Sequence, residues 1–352
     1  MFSSHAIRAR RQAISSAMVI AGLMLMTLLQ GCYYLQAAHG QFGIWKKSQP
    51  LDVVINDPAT DPALADRLRL LRDAREFASS RLLLPNNGSY QNYADLGRDY
   101  VLWNVVAAPE FSLEPRTWCY LIVGCLAYRG YFDEAKARQL GAKLQKESFD
   151  VYVGGVPAYS TLGHFNDPLL NTMMQRDDAD LVALLFHELA HQRLYLKDET
   201  AFNESFASAV AEFGLQEWFA ERGDAATGEL WLARQRLAES RMDRIRDTRE
   251  KLAALYAGSM PQAQMRASKA ALIGELKTRL AADSADPSAW DGVAINNAWL
   301  ATFALYRGYL PAFRQLFDDC AADWNCFYDA VNALGDLPAD KRAQSLAEIA
   351  SS

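Results

Sequence analysis

The chain has 352 residues, 51% of them apolar and 22% charged, an ordinary globular balance with enough apolar material for a large core. Its 36 basic and 42 acidic residues give a formal charge of −6. That balance argues against nucleic acid as a partner, because a phosphate-binding surface needs a basic excess.

Arg8, Arg10 and Arg11 precede an apolar run from Ala13 to Leu29, which is cut off by Gln30-Gly31-Cys32. Basic residues followed by a short apolar stretch form the pattern of an export signal, here residues 1–31. The run falls short of the ~20 apolar residues that a spanning helix needs. Leu29-Gln30-Gly31-Cys32 resembles the lipobox of bacterial lipoproteins, which implies cleavage after Gly31 and lipidation of Cys32. An uncleaved N-terminal anchor is the alternative. Both readings hold the chain on a lipid bilayer in the cell envelope, facing the periplasm. Tyr33 stands where inner-membrane lipoproteins of enteric bacteria carry aspartate, which favours the outer membrane.

Glycine, glutamine and proline interrupt any period from Tyr33 to about Pro62, so residues 32–62 read as a leader into one domain over 63–350. Leu64, Leu68, Leu71, Ala74, Phe77 and Ala78 follow the three-and-four spacing of a helix, predicted over Ala63 to Leu83 and stopped by Pro85-Asn86-Asn87-Gly88. Tyr100 to Ala107, Trp118 to Val123 and Val151 to Thr161 are rich in β-branched and aromatic residues and predict strands. A helical pattern over Tyr131 to Glu147 lies among them. Beyond residue 180 helices are predicted over Asp180 to Leu196, Glu199 to Arg222, Thr227 to Tyr256, Pro261 to Ala282 and Ile295 to Phe317. The charged pair over 227–282, joined by Gly258-Ser259-Met260-Pro261, predicts a helical hairpin with solvated outer faces. The whole is an α+β fold, predominantly helical, with a small mixed sheet.

After Cys32 four cysteines remain, Cys119 with Cys125 and Cys320 with Cys326. An even number in an exported chain suggests two disulfides. Local pairs, pairs across the two clusters, and four free thiols all stay open. Neither spacing matches the close knuckle of a zinc site.

His187-Glu188-Leu189-Ala190-His191 follows the apolar run Leu181 to Phe186 on what reads as an amphipathic helix. Histidines at i and i+4 leave one helix face a turn apart and can hold one Zn2+ without backbone rearrangement. Glu188, rotated about 100°, reaches the open side of such a site, where it can serve as general base for a metal-activated water. Catalytic zinc usually takes a third protein ligand, and Asp198, Glu199, Glu204 and Glu212 follow. Asp198 reads as the N-cap of the next helix. Glu204 lies more than a turn into that helix, before the small residues Ala207, Ser208 and Ala211 that permit close approach, and is the predicted ligand. Glu212 is the lesser alternative. An oxyanion needs a further donor; Tyr306 on the late helix is selected from Tyr306, Tyr309, Tyr159 and His164.

The five-residue motif followed by Phe202-Asn203-Glu204-Ser205-Phe206-Ala207 is similar to the gluzincin clan of metallopeptidases, in which a glutamate on a second helix completes the zinc site. More closely, the chain resembles a bacterial lipoprotein family of predicted zinc aminopeptidases, over roughly residues 30 to 330. The resemblance rests on Val105-Val106-Ala107-Ala108-Pro109-Glu110, Tyr128-Arg129-Gly130-Tyr131-Phe132, and Ala158-Tyr159-Ser160-Thr161-Leu162-Gly163 continuing to Asp167-Pro168. It implies a zincin-like core with one zinc ion at His187, His191 and Glu204, Glu188 as the catalytic base, and a peptide or protein substrate. Well-studied gluzincin aminopeptidases carry Gly-x-Met-Glu-Asn before the zinc helix, whose glutamate grips the substrate amine. Here Gly154-Gly155-Val156-Pro157-Ala158-Tyr159 holds no acid, so endopeptidase action stays open. This stretch, with Gly155, Ala158 and Tyr159, can offer an edge strand to an extended peptide; a core strand with a Gly-Gly bulge is the alternative.

Two functions follow. One is a lipid-anchored zinc peptidase; the other is a zincin scaffold that binds or assembles envelope partners without turning them over. Glu188 discriminates them, because a binding module needs no general base.

Overall fold

The computed structural model describes residues 36, 39–120, 124–158, 160–284, 286–303 and 308–351. The export signal, Cys32, Tyr159 and Tyr306 lie outside the described residues. The fold is α+β and predominantly helical. In chain order its elements are β1 (Ser48–Pro50), α1 (Leu51–Asn56), α2 (Pro62–Ser80), β2 (Asn92–Ala94), β3 (Leu102–Pro109), β4 (Trp118–Tyr120), β5 (Gly124–Leu126) and β6 (Arg129–Tyr131). There follow α3 (Glu134–Lys146), β7 (Phe149–Val156), β8 (Leu169–Leu170), α4 (Asp178–Arg193), α5 (Thr200–Glu221), α6 (Ala225–Ala257) and α7 (Gln262–Ala282). The chain closes with α8 (Asn297–Ala301), α9 (Leu310–Asp319), α10 (Trp324–Gly335) and α11 (Ala339–Ile349). Among the described residues, no helix is long and apolar enough to cross a membrane.

Aspartate starts many of these helices. Asp61, Asp133, Asp177, Asp224 and Asp323 each accept a first-turn N–H in the side chain, which satisfies a donor the helix leaves without a partner. The predicted helix over Ile295 to Phe317 is not continuous. Turns at Thr302 and Phe303 follow α8, and α9 starts afresh with Pro311 in its first turn, where proline costs no hydrogen bond.

One three-stranded sheet runs β6-β3-β7, antiparallel throughout; a second, mixed sheet runs β1-β2-β8. The period of two along β3 explains how it is covered on both faces. Trp103, Val105 and Ala107 pack with Ala137 and Leu144 of α3, while Val106 and Ala108 pack with Ala298 and Ala301 of α8. The largest core gathers buried residues of α2, α4, α5, α9, α10 and α11. Ile44, Leu51 and Ile55 join it, so the stretch read as a leader to residue 62 is part of the packed domain from Ile44 onward. Burying such aliphatic side chains stabilises by ~1.5–3 kcal/mol each, which is why a segment without periodicity is nevertheless held.

The hairpin α6–α7 has its own apolar seam of Ile245, Leu252, Leu276 and Leu280, continued by Ile295, Trp299 and Leu300. A buried polar knot fixes it to the sheet. Lys269 Nζ donates to Asp150 Oδ2 at 2.6 Å and to Glu110 O at 2.8 Å, and Asp150 Oδ2 also accepts from Asn297 N. The four cysteines form two local disulfides: Cys119–Cys125 across the β4–β5 pair, and Cys320–Cys326 at the α9–α10 turn.

Candidate metal centre

The helix α4 is buried around most of its circumference, including Leu181, Val182, Leu185, Phe186, Leu189 and Ala190. It is therefore a core helix and not the amphipathic one expected, because α5 and α2 cover faces that a surface helix would give to water. Close packing of α5 on α4 depends on small residues. A Cβ at Gly214 would lie 2.5 Å from Leu82 Cδ1 and 3.1 Å from the Phe186 ring. Ala207, Ser208 and Ala211 are buried along the same helix.

The turn between the two helices fixes their relative register. Asp198 adopts a left-handed φ of 63° and is not the N-cap. Glu199 holds that position without a capping bond, and its carboxylate pairs with Arg342 instead. Asn203 does the bracing from within α5, through both main-chain groups of Leu196.

In this frame His187 and His191 point Nε2 at one another 3.1 Å apart, with the rings close to perpendicular. Glu204 completes the triangle, Oε2 at 3.3 Å from His187 Nε2 and Oε1 at 3.6 Å from His191 Nε2. Three side chains thus aim electron pairs at one point, a donor set that suits a divalent cation. The spacing of the nitrogens suits it too, since two ligands on a tetrahedral ion with ~2.0–2.1 Å bonds lie ~3.3 Å apart. His191 is buried, and its Nδ1 meets no hydrogen-bonding partner. Burial, then the charge of His187, bring its pKa down to about 4 against the opposing pull of Glu204, so the ring is neutral and able to ligate near pH 7.

Glu188 sits beside this point in a different environment. Burial pushes its carboxyl up to about 7; the charges of Glu204 and Asp167 add to the shift, and those of His187 and Arg176 oppose it. Asp167 is itself buried and ties down the preceding loop, accepting from Thr161 N at 2.8 Å, Thr161 Oγ1 at 3.0 Å and Ser160 Oγ at 3.3 Å. Across from it, Tyr90 is buried with a left-handed φ of 62° and donates its N–H to Asp167 O. Its hydroxyl has no hydrogen-bond partner of good geometry; burial, Glu188 and Asp167 hold the phenol well above its ordinary pKa, with Ser160 acting the other way. Arg75 shapes the loop that presents Tyr90, donating to Ser89 O, Pro85 O and Asn87 O. Asn87 in turn bonds Gln192, next to His191. Sequence reasoning took the 85–88 stretch only as a helix stop and missed Arg75, Tyr90 and Asp167 as parts of this site.

Other candidates lie elsewhere. Glu212 is buried in an ion cluster with Arg314 and Glu239, not beside the histidines. His164 is exposed in its loop. Tyr309 donates its main-chain N–H to Ser205, one residue from Glu204. Gly155 is on β7 and faces Trp103 in unbroken one-to-one register, so there is no Gly-Gly bulge; its lack of a side chain admits the Tyr100 ring, which a Cβ would meet at 2.3 Å. The strand ends at Val156, so Ala158 follows it as loop, packed on the main core. A cavity of about 460 Å³ lies between α7 and residues 293–296, and none of the metal-centre residues lines it.

A family model described as "Putative aminopeptidase" matches residues 32–346. The chain belongs to this family. No curated protein sequence and no solved structure matches the chain significantly. Membership in this family supports a peptidase-like function by resemblance. The match takes in the metal centre, the hairpin and the stretch from Ile44 to Ile55 that packs into the core.

Proposed function

We propose that the chain is a zinc-dependent peptidase of the gluzincin type, anchored in the bacterial cell envelope through a lipidated Cys32. The observation that carries this reading is the convergence of His187, His191 and Glu204 on one point with Glu188 alongside. A zinc ion held there supplies a positive charge that acidifies water and polarises a carbonyl oxygen.

The residues of the chain do the rest. His187 and His191 present Nε2, and Glu204 a carboxylate from the second helix. Glu188 receives the proton of the attacking water on a carboxylate oxygen and returns it to the leaving amine. A carboxyl that titrates near neutrality suits both transfers. Tyr306, outside the described residues, serves as the donor to the developing oxyanion.

The outer strand β7 supplies a ledge for substrate. Val151 O accepts from the Asn296 side chain off the ladder, whereas Val156 O accepts from Val101 N on the β3 side. Alternation then turns the main-chain groups of Val153 and Gly155 away from β3, where an extended peptide can pair with them. Ala158 follows the end of this strand. The family description favours trimming from the amino end, whereas no acid stands in residues 154–158 to hold a free amine, which leaves internal cleavage open.

The test is metal analysis together with a peptide-library digest read by mass spectrometry. Wild type should hold one zinc per chain and cut; His187→Ala should lose the metal; Glu188→Gln should keep it and stop cutting. A metal-free wild type, or a digest untouched by Glu188→Gln, would remove the reading in favour of a binding module.

A further inference from the structure

An exposed aromatic cluster lies on the side from which the N-terminal segment enters the domain. The helical stretch that ends at Lys47 buries Ile44 in the core and turns Phe42 (62% exposed) and Trp45 (40%) outward, with Lys46 and Lys47 beside them. Phe165 (49% exposed) reaches this face from a loop 120 residues further along the chain. Its ring stands edge-on to Trp45 with centroids 4.9 Å apart. Single exposed apolar residues need no explanation. Aromatic side chains gathered from two segments, with lysines next to them, have the make-up of a surface that sits at the boundary between a bilayer and water.

The sequence names the occupant. Whether residues 1–31 are removed and Cys32 is lipidated, or the apolar run to Leu29 stays as an anchor, the chain leaves the bilayer between residues 29 and 32. Ten residues separate Cys32 from Phe42, which at ~3.3–3.6 Å each span at most about 35 Å. The cluster is therefore tethered within reach of the membrane that holds the anchor.

We infer that Phe42, Trp45 and Phe165 form a rim that seats in the headgroup region of the anchoring bilayer and holds the metal centre close to the membrane surface. The link to the centre is the loop that carries Phe165. A Cβ at its Gly163 would lie 3.5 Å from the side chain of Gln192, the neighbour of His191, and its Asp167 is the acid beside Glu188. Substrates drawn from this position are peptide segments that lie at or emerge from the membrane. The inference rests on the proposed envelope anchoring but not on catalysis.

The test uses the full chain, extracted with its own anchor and reconstituted into phosphatidylethanolamine–phosphatidylglycerol vesicles with and without brominated acyl chains. Bromolipid should quench part of the tryptophan emission of wild type. Trp45→Phe should lose most of that quenching, Trp290→Phe should keep it, and Phe42→Ser/Phe165→Ser, with Trp45 intact, should weaken it. Vesicle-bound protein in which Trp45→Phe is quenched as strongly as wild type overturns the rim while leaving the anchor standing. Protein that fails to float with the vesicles overturns both. Full quenching in a chain without peptidase activity supports the rim and counts only against the catalytic reading.

Discussion

The carboxamide of Asn203 closes both main-chain hydrogen bonds of Leu196, its Oδ1 accepting from Leu196 N at 2.8 Å and its Nδ2 donating to Leu196 O at 2.7 Å. Leu196 lies just beyond the helix that carries His187 and His191, and Asn203 immediately precedes Glu204. This side chain therefore helps to set the position of Glu204 on the second helix relative to His187 and His191 on the first. Asn203→Ala removes both bonds in a partly exposed turn where Leu196 O still accepts from Glu199 N at 3.3 Å, which should cost ~1 kcal/mol. Thermal unfolding should show the loss, and competitive zinc titration should show weaker binding in the protein that still folds. Unchanged zinc affinity would mean that the turn does not position Glu204.

The packing of the two helices gives a second prediction. Gly214→Ala forces a methyl group against Leu82 and the Phe186 ring, one residue before His187. Overpacking of this kind costs ~1–3 kcal/mol. The variant should melt lower than wild type. Ala209→Gly, at a buried site on the same helix, should lose ~1 kcal/mol of helix propensity and ~0.8 kcal/mol of methyl burial without any steric clash. Equal stability of Gly214→Ala and wild type would show that the helices can move apart freely.

How far the sequence carried these conclusions depends on the range over which each feature is encoded. The His187–His191 spacing and the helices around it are local, and the 3.6-residue period exposes them. Glu204 was within reach because the small residues after it advertise close helix contact. Asp198 was misread because an aspartate before a helix is usually a cap, whereas here a left-handed backbone turns it away and Asn203 does the work from inside the helix. The stretch from Ile44 to Ile55 was invisible because its β1 and α1 are held by β2 and α2, elements further along the chain, and not by a period of their own. Tyr90, Arg75 and Asp167 were not placed at the site because it takes the fold to bring two loops together beside Glu188; the block ending in Asp167-Pro168 carries a family resemblance but no spacing that points to the histidines.

Asp177 allows a test of how the motif helix is started. It accepts from Asp180 N at 2.9 Å and pairs with Arg234, and that guanidinium first, then the helix N–H, hold its carboxyl below the ordinary value. A depressed carboxylate contributes stability that is present above its unfolded pKa and lost as pH falls through the folded one. Asp177→Ala should therefore cost ~1 kcal/mol near neutrality, most of it from the cap because the ion pair is half exposed. The gap to wild type should close as the pH is lowered below about 4. Asp177→Asn, which keeps the cap acceptor, should recover most of the loss. Denaturant unfolding across pH checks all three.

Removing the metal should expose the two opposed titrations at the centre. In chelator-treated protein His191 should stay neutral down to about pH 4, and Glu188 should stay protonated up to about pH 7. The depressed histidine contributes stability present above pH ~6.5 and lost as pH falls toward 4; the raised carboxyl contributes stability present below pH ~4.5 and lost as pH rises through 7. Because the two oppose each other, the melting temperature is a poor reporter. The imidazole proton resonance of His191 followed by NMR reads one group directly. A midpoint near the free-imidazole value would contradict a ring whose burial holds it neutral.

In the proposed mechanism Glu188 moves protons for a metal held by His187, His191 and Glu204. The most direct measurement is the paired determination of zinc content and peptide cleavage in wild type and Glu188→Gln. Both proteins should hold one zinc per chain, with cleavage reduced by ~100-fold or more in the variant. Cleavage that survives Glu188→Gln at the wild-type rate, or a wild type that binds no zinc, would contradict this mechanism.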